Sequence, residues 1–222
     1  YLNILADVRV MPTAETPLSG FEGFSGLEST VIGHPKQNMK PMPVLEAYPH
    51  KVLFSTGAVT MPNYTDSKAG KKGEFHHTFG FLVVEKRNED NFHIRNVVAD
   101  DTGEFNDLIY NVKKGKVSYA KPVEALVLGD LHSGSEDIAL ANETTKLFSI
   151  LKPKKIVLHD VFDATSVSHH NEKDPFYKYQ LHLEGKDKVK KELDYMNSVL
   201  RDISGYGETY VVRANHDEHL DK

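Results

Sequence analysis

Three short clusters of acidic, histidine and asparagine side chains each follow an apolar run along the chain. In chain order they are Gly129-Asp130-Leu131-His132, His159-Asp160-Val161-Phe162-Asp163 and Ala214-Asn215-His216-Asp217. Carboxylate and amide oxygens mixed with imidazole nitrogens suit Mn, Fe or Zn. Two such ions a few ångström apart can clamp a phosphate and activate a water for in-line attack on phosphorus. The clusters therefore predict a two-metal site for phosphoester chemistry.

Strand-like runs rich in β-branched residues come before all three clusters, at Val123–Leu128, Lys155–Leu158 and Thr209–Val212. Helical periodicity between them predicts helices at Glu136–Leu151 and Lys186–Ile203. The inward positions of these helices are predicted to be Ile138, Leu147, Phe148 and Leu151, then Val189, Leu193, Met196, Leu200 and Ile203. Alternating strands and helices indicate a parallel sheet, which binds ligands at the carboxyl ends of its strands. One rim of that sheet should collect the three clusters.

The order and spacing of the clusters resemble the motifs of the calcineurin-like metallophosphoesterase superfamily. Those motifs run Asp-x-His, Gly-Asp-x-x-Asp and Gly-Asn-His-Asp, and the resemblance covers roughly residues 123–219. The spacing, the histidine-rich loop after the second motif and local lysines are most similar to the nuclease (SbcD-like) branch. The resemblance implies a layered β-sheet core with flanking helices. His159 and Ala214 stand where the superfamily has Gly, so we expect altered backbone geometry without loss of ligands.

The resemblance also implies the metal ligands. Asp130 and His132 would bind the first ion, and Asp160 would bridge both ions through its two oxygens. Asn215 would bind the second ion through its amide oxygen. The expected cofactor is a pair of divalent ions, with Mn favoured and Fe, Zn or Mg as alternatives.

Catalytic and substrate-binding roles follow from the same resemblance. His216 would protonate the leaving oxygen as a general acid, and Asp217 would hold its imidazole. Asp163 stands where the nuclease branch often has His and is expected near the substrate. His169 and His170 follow the second motif in a loop that contacts substrate in relatives, although a plain loop role is equally open. His219 is expected either to support the metal ligands without binding an ion itself or to lie at the surface.

The first region of the chain, residues 1–120, is predicted to be a β-rich subdomain without a catalytic motif. Pro and Gly recur through 11–49 and indicate loops and short extended pieces rather than long regular elements. Antiparallel strands are predicted at Val52–Thr60, Thr78–Glu85, Phe92–Ala99, Phe105–Val112 and Lys116–Tyr119, with a polar hairpin loop at Lys86–Asn91. The adjacent His76 and His77 are predicted to enter a strand from a loop and to serve surface or packing roles. With a catalytic region at 121–222, the expected class is α/β, or α+β overall.

Composition sets further bounds. The 222 residues include no Cys, which excludes disulfides and thiolate zinc sites, and carry a net charge of −5. That charge argues against a globally basic nucleic-acid coat, but it does not exclude a nuclease, since the metal-binding carboxylates count toward it. No bilayer-length apolar stretch or signal-peptide pattern is present, so we expect a cytoplasmic protein without a membrane partner.

The ends of the sequence suggest a fragment. The first residue is Tyr, and the last is Lys222. The superfamily has further metal-binding histidines downstream, ending in Gly-His-x-His, which this sequence does not reach. The C-terminal part of the fold is therefore expected to be absent.

The sequence thus predicts a metal-dependent phosphodiesterase, a hydrolase that cleaves nucleic acid, with DNA as the expected substrate. Two alternatives stay open. One is a phosphomonoesterase or small-molecule phosphodiesterase using the same site, and the other is a binding or scaffold module whose metal site has decayed. The departures from the motifs and the β-rich leader suggest a divergent member of the superfamily. One hypothesis for its origin is a phage-encoded DNase acting in the host cytoplasm.

Overall fold

The computed structural model of the chain describes residues 2–88 and 91–220. The chain divides into two compact units, 1–120 and 121–222. Helices and several small sheets are both present, which confirms the mixed α/β class predicted from the sequence. Among the described helices, none has the length and apolar character needed to cross a membrane.

The first unit contains a four-stranded sheet with the order β1-β2-β4-β3. Its strands are β1 (Leu2–Leu5), β2 (Ser29–Ile32), β3 (Asn38–Met42) and β4 (Lys51–Ser55). β1, β2 and β4 are parallel, and only β3 is antiparallel to its neighbour. The short strands β2 and β3 agree with the loops and short extended pieces predicted over 11–49, whereas the parallel pairing of β1, β2 and β4 corrects the prediction of antiparallel structure. The segment between β1 and β2 is irregular but packs Leu18 against Ile32 and Leu53, so that core burial overrides the local Pro and Gly content.

The rest of the first unit is antiparallel, as predicted. β5 (Gly80–Lys86) pairs with β6 (Phe92–Val98), and the residues 89 and 90 of the predicted hairpin loop lie outside the described residues. β7 (Phe105–Asp107), β8 (Tyr110–Lys113) and β9 (Lys116–Tyr119) form a meander. The single strand predicted at 105–112 is two strands, because Leu108 turns the chain with a φ of 51°.

A helix that the sequence did not predict, α1 (Lys68–His76), lies in the first unit. Ser67 caps it, since its hydroxyl accepts a hydrogen bond from the Gly70 N–H at 3.0 Å. A Cβ at position 70 would lie 1.9 Å from the Thr65 carbonyl oxygen, so glycine is required here for close packing. His76 therefore ends a helix, which corrects the prediction of a loop. His77 follows it and contacts the Tyr64 hydroxyl through Nδ1 at 3.0 Å.

The second unit is built on a three-stranded parallel sheet in the order β10-β11-β12, as predicted. Its strands and main helices are β10 (Ala125–Asp130), α2 (Ile138–Leu151), β11 (Lys155–His159), α4 (Val189–Ser204) and β12 (Glu208–Val212). A further helix, α3 (Pro175–Leu183), occupies the aromatic and basic segment between β11 and α4. Asp174 caps this helix and proline occupies its first turn, a combination typical of helix starts. Two 3₁₀ turns lie at His169–Asn171 and Asp217–Leu220.

Packing in the second unit centres on four buried residues, namely Phe148, Ile156, Leu158 and Val161. Met196, Leu200 and Ile203 of α4 pack against this cluster, as the periodicity of that helix predicted. The prediction for α2 was only partly right, since Ile138 and Leu147 are exposed. Successive residues of a helix are about 100° apart, so the burial of Phe148 turns its neighbour toward solvent.

Removing the Phe148 ring is expected to destabilise the protein much more than truncating its neighbour. Phe148 is 2% exposed and Leu147 is 38% exposed. Phe148→Ala should lower the free energy of unfolding by about 3–5 kcal/mol, because it leaves a cavity in the core. Leu147→Ala, the matched control in the same helix, should cost about 1 kcal/mol or less. Urea denaturation followed by circular dichroism measures both, and equal losses would contradict this account of the core.

Candidate metal centre

Backbone hydrogen bonds hold the first two predicted motifs side by side. Beyond the paired strands, the His132 N–H donates to the Asp160 carbonyl and the Ser133 N–H donates to the Val161 carbonyl, each at 2.9 Å. The register between β10 and β11 shifts between Val127 and Asp130. Such an irregularity re-aims the side chains that follow it, so the end of β10 presents its motif toward the end of β11.

The side chains of these motifs meet around one imidazole. His132 Nδ1 lies 3.2 Å from a carboxylate oxygen of Asp163, and His132 Nε2 lies 3.8 Å from one of Asp160. The ring of His216, from the third motif, packs edge-on against the His132 ring with centroids 4.6 Å apart. Three separate segments of the chain thus contribute to one polar cluster, at the rim that the strand order predicted.

Two groups of potential ligands overlap in this cluster. Asp130, His132 and Asp160 form one group, and His132, Asp163 and His216 form the other. Within each group the ligand atoms all lie within 4.8 Å of one another, a spacing that a single ion can span. His132 is common to both groups, whereas the sequence predicted that Asp160 would be shared. Asp163 contacts the ring of His132, a predicted ligand, and accepts a hydrogen bond from the Thr165 hydroxyl. Its predicted contact with substrate stays a prediction.

Three buried polar atoms at this site have no hydrogen-bond partner in the described part of the chain. They are Asp160 Oδ1, His216 Nδ1 and Ser133 Oγ. Buried polar groups in native proteins are nearly always satisfied, so each exception requires an explanation such as an ion or an ordered water. An unpaired carboxylate oxygen and an imidazole nitrogen are both good donors to a divalent cation. The residues therefore fit the metal that the sequence predicted.

The backbone around the site is strained. His132, Asp160 and Ala164 have φ values of 43°, 49° and 61°, in the left-handed region that residues other than glycine rarely adopt. Strain of this kind is concentrated at functional sites, where surrounding contacts hold it in place. His159 occupies the position of the glycine in the Gly-Asp-x-x-Asp motif and pairs with Val212 in regular strand register. The left-handed conformation is found at the next residue, Asp160.

The third motif is arranged differently from the prediction. Asn215 lies in an exposed turn one residue before His216, and its role as a ligand stays a prediction. Asp217 was predicted to hold the His216 ring, but its carboxylate instead accepts a hydrogen bond from the Ala214 N–H at 2.9 Å. This contact closes the turn and begins the 3₁₀ turn that follows. The structure thus assigns Asp217 a role in shaping the loop that carries His216.

Two residues to which the sequence assigned no role at the metal centre support the site. His159 Nδ1 lies 2.9 Å from an Asp130 carboxylate oxygen, so this histidine orients a predicted metal ligand. Glu192, in the first turn of α4, accepts backbone hydrogen bonds from Thr165 at 2.8 Å and Ser166 at 3.1 Å. It thereby fixes the loop after Asp163. The signal for His159 was its substitution for glycine, whereas nothing local marked Glu192.

The remaining histidines of the region form a group of their own. His169 and His170, predicted to contact substrate, lie beside His219. His219 is buried, and its ring centroid lies 5.7 Å from that of His216. The structure therefore brings these histidines together at the border of the metal cluster.

A cavity of about 460 Å³ opens beside the cluster. Ser133 and Asp163 contribute to its lining, which also includes three lysines, two glutamates and two tyrosines, namely Lys186, Lys188, Lys191, Glu184, Glu192, Tyr177 and Tyr195. Burial, together with the nearby Glu136 carboxylate, raises the pKa of Tyr195 above its ordinary value. Its phenol is hydrogen-bonded to that carboxylate. The lysine ammonium groups beside a candidate metal site can pair with an anionic ligand.

The chain is 34% identical over 230 residues to Protein A1 of Escherichia phage T5. The match covers 98% of this chain and 41% of Protein A1, so the chain spans about two fifths of that relative's length. The relationship to a phage protein supports the hypothesis of a phage origin. No protein-family profile matches the chain, and no solved structure matches it. The metallophosphoesterase resemblance and the nuclease activity accordingly stay predictions.

Proposed function

We propose that the protein is a metal-dependent phosphodiesterase that hydrolyses nucleic acid, with DNA as its substrate. The observation that carries this proposal is the meeting of Asp130, His132, Asp160 and His216 at the rim of one parallel sheet, with polar atoms of Asp160 and His216 buried without partners in the described residues. Carboxylates and imidazoles in this arrangement suit a pair of divalent ions. When bound, such ions supply a water that is activated near neutral pH and neutralise charge on the phosphate.

The residues of the chain would divide the remaining work. Asp130, His132 and Asp160 would hold the cations, and His159 and Asp163 would fix two of these ligands in position. His216 would donate a proton to the oxygen that leaves phosphorus. No covalent bond to the protein is required for this reaction, which agrees with a chain that lacks Cys.

The cavity favours a nucleic acid over a small phosphate ester. Its lysines would lie along the sugar-phosphate backbone, and its tyrosines offer faces on which a base or sugar can stack. The net charge of −5 is compatible with this role, because individual lysines of the cavity can pair with the phosphates of a backbone that enters the site.

The direct test compares substrates. The full-length protein, purified and supplied with Mn²⁺, should cleave plasmid DNA, and EDTA should abolish the cleavage. A cyclic nucleotide and a phosphoprotein, assayed in parallel, should be poor substrates. Hydrolysis of either in preference to DNA would instead support a small-molecule phosphodiesterase or a phosphomonoesterase, and binding of no divalent metal would support the scaffold alternative.

The lysine wall gives a second test. Lys188→Ala combined with Lys191→Ala should weaken DNA binding and raise KM while leaving kcat nearly unchanged, because these residues contribute uniform binding. For duplex DNA, the slope of log affinity against log salt should fall by about one for each lysine–phosphate ion pair that the substitutions remove. Fluorescence anisotropy across a salt series measures this slope.

Lys146→Ala is the matched control, since Lys146 is an exposed lysine on α2 that pairs with Glu143. An unchanged slope in the double variant, or an equal change in the control, would rule out this path for the substrate.

A further inference from the structure

We propose that His169, His170 and His219 form a separate metal site that binds Zn²⁺, or a chemically similar divalent ion, through three imidazoles. This inference goes beyond the proposed function and does not depend on it. His169 Nδ1 and His219 Nδ1 are 2.8 Å apart, and one nitrogen from each of the three rings lies within 4.8 Å of the others. In a tetrahedral site, Zn–N bonds of about 2.0–2.1 Å place the nitrogens of neighbouring ligands about 3.3–3.4 Å apart. The two rings, which lie within hydrogen-bond distance of each other, would therefore separate by about half an ångström to share an ion.

Local backbone geometry allows adjacent histidines to share an ion here. His169 and His170 begin a 3₁₀ turn, where successive residues are about 120° apart, whereas adjacent residues of a strand point to opposite faces. Their ring centroids are 4.0 Å apart. His219 approaches from the second 3₁₀ turn, where its N–H donates to the His216 carbonyl at 3.1 Å. The two turns thus bring ligands from distant parts of the sequence into one group.

The chemistry of this group differs from that of the neighbouring cluster. Its potential ligands are all imidazoles, whereas both groups around His132 include carboxylates. Imidazole-only sites favour Zn, Cu or Ni, while carboxylate-rich sites also accept Mn and Mg. Three histidines with a fourth position open to water or a substrate oxygen are also a known arrangement for zinc. Because His169 and His170 are exposed while His219 is buried, the open position would face solvent.

The test uses Zn²⁺ as the probe. Wild-type protein, dialysed against Zn²⁺ with a weak competing chelator, is analysed for metal per chain. The double variant His169→Gln and His170→Gln should bind one equivalent of Zn²⁺ less than the wild type, because its affinity for that ion should fall by more than about 100-fold. Even the loss of a residue that only supports a ligand lowers metal affinity by about 10–100-fold. His182→Gln is the matched control, because His182 is exposed and pairs with Asp187 on α3. Equal Zn²⁺ binding by the double variant and the control would overturn the proposal.

A crossed variant separates this site from the proposed active site. Asp160→Asn should impair the carboxylate-containing cluster and retain the equivalent bound by the three histidines. The opposite result would be that Asp160→Asn loses this equivalent of Zn²⁺ while the double histidine variant retains it. That result would assign all the zinc to the carboxylate cluster and disprove the separate site. A further measurement uses the wild-type protein and so does not depend on how the variants fold. Zn²⁺ should protect His170 from modification by diethyl pyrocarbonate. Unchanged modification of His170 at saturating Zn²⁺ would also disprove it.

Discussion

Asp160→Asn is expected to abolish metal-dependent DNA hydrolysis while leaving the fold intact. Asp160 is 5% exposed, and its Oδ1 has no hydrogen-bond partner among the described residues. An amide of the same shape lacks the negative charge that would hold two cations together. Loss of several kcal/mol of electrostatic stabilisation corresponds to a decrease in rate of about 100-fold or more.

Folding of this variant should be preserved for a specific reason. Asp160 has a left-handed backbone conformation, which asparagine tolerates better than most residues. Thermal unfolding should therefore change little. Plasmid cleavage at saturating Mn²⁺ provides the assay, with Asp194→Asn on the exposed face of α4 as the control. Retention of more than about a tenth of wild-type activity would show that Asp160 does not hold the ions together.

His216→Ala is expected to decrease turnover on DNA by about 10²–10⁴-fold, with metal occupancy near that of the wild type. This result would identify a general acid. The structure makes the comparison with a ligand essential, because His216 also belongs to a group of potential ligands with His132 and Asp163. Loss of a ligand would instead lower metal affinity, and high Mn²⁺ would partly restore activity.

The leaving group provides a second criterion for His216. A nitrophenyl ester leaves without protonation, so the defect of His216→Ala should be much smaller on this substrate than on DNA. His182→Ala is the control for general effects of losing an exposed histidine. Recovery of DNA cleavage with added Mn²⁺, or equal losses on both substrates, would contradict the role in protonation.

The arrangement of the second unit could be predicted because its signals are local. Each of the three strands is a short β-branched run, and each motif directly follows one, so the parallel order brought Asp130, Asp160 and His216 to one rim. Helix α4 repeats its apolar residues every three or four positions, and those residues pack against the core as expected. For α4, the sequence period alone predicts which side faces the core.

The features that could not be predicted depend on contacts between distant residues. The loop predicted before His76 and His77 is instead α1, in which Gly70 and Gly73 lie where side chains would collide with Thr65 and Tyr64. The contact of His159 with Asp130 likewise joins residues on two strands. Asp217 made a local turn contact in place of the expected one with His216, a competition that the motif letters do not determine.

The left-handed conformation of Asp160 also affects which point mutations of its codon the folded protein tolerates. Single base substitutions in an aspartate codon reach asparagine and glycine, which are among the residues that this conformation accepts most readily. Neither carries a charge. Point mutation at this codon should therefore often yield a protein that folds and accumulates normally but has lost catalysis, so expression level and melting temperature would not reveal inactive alleles.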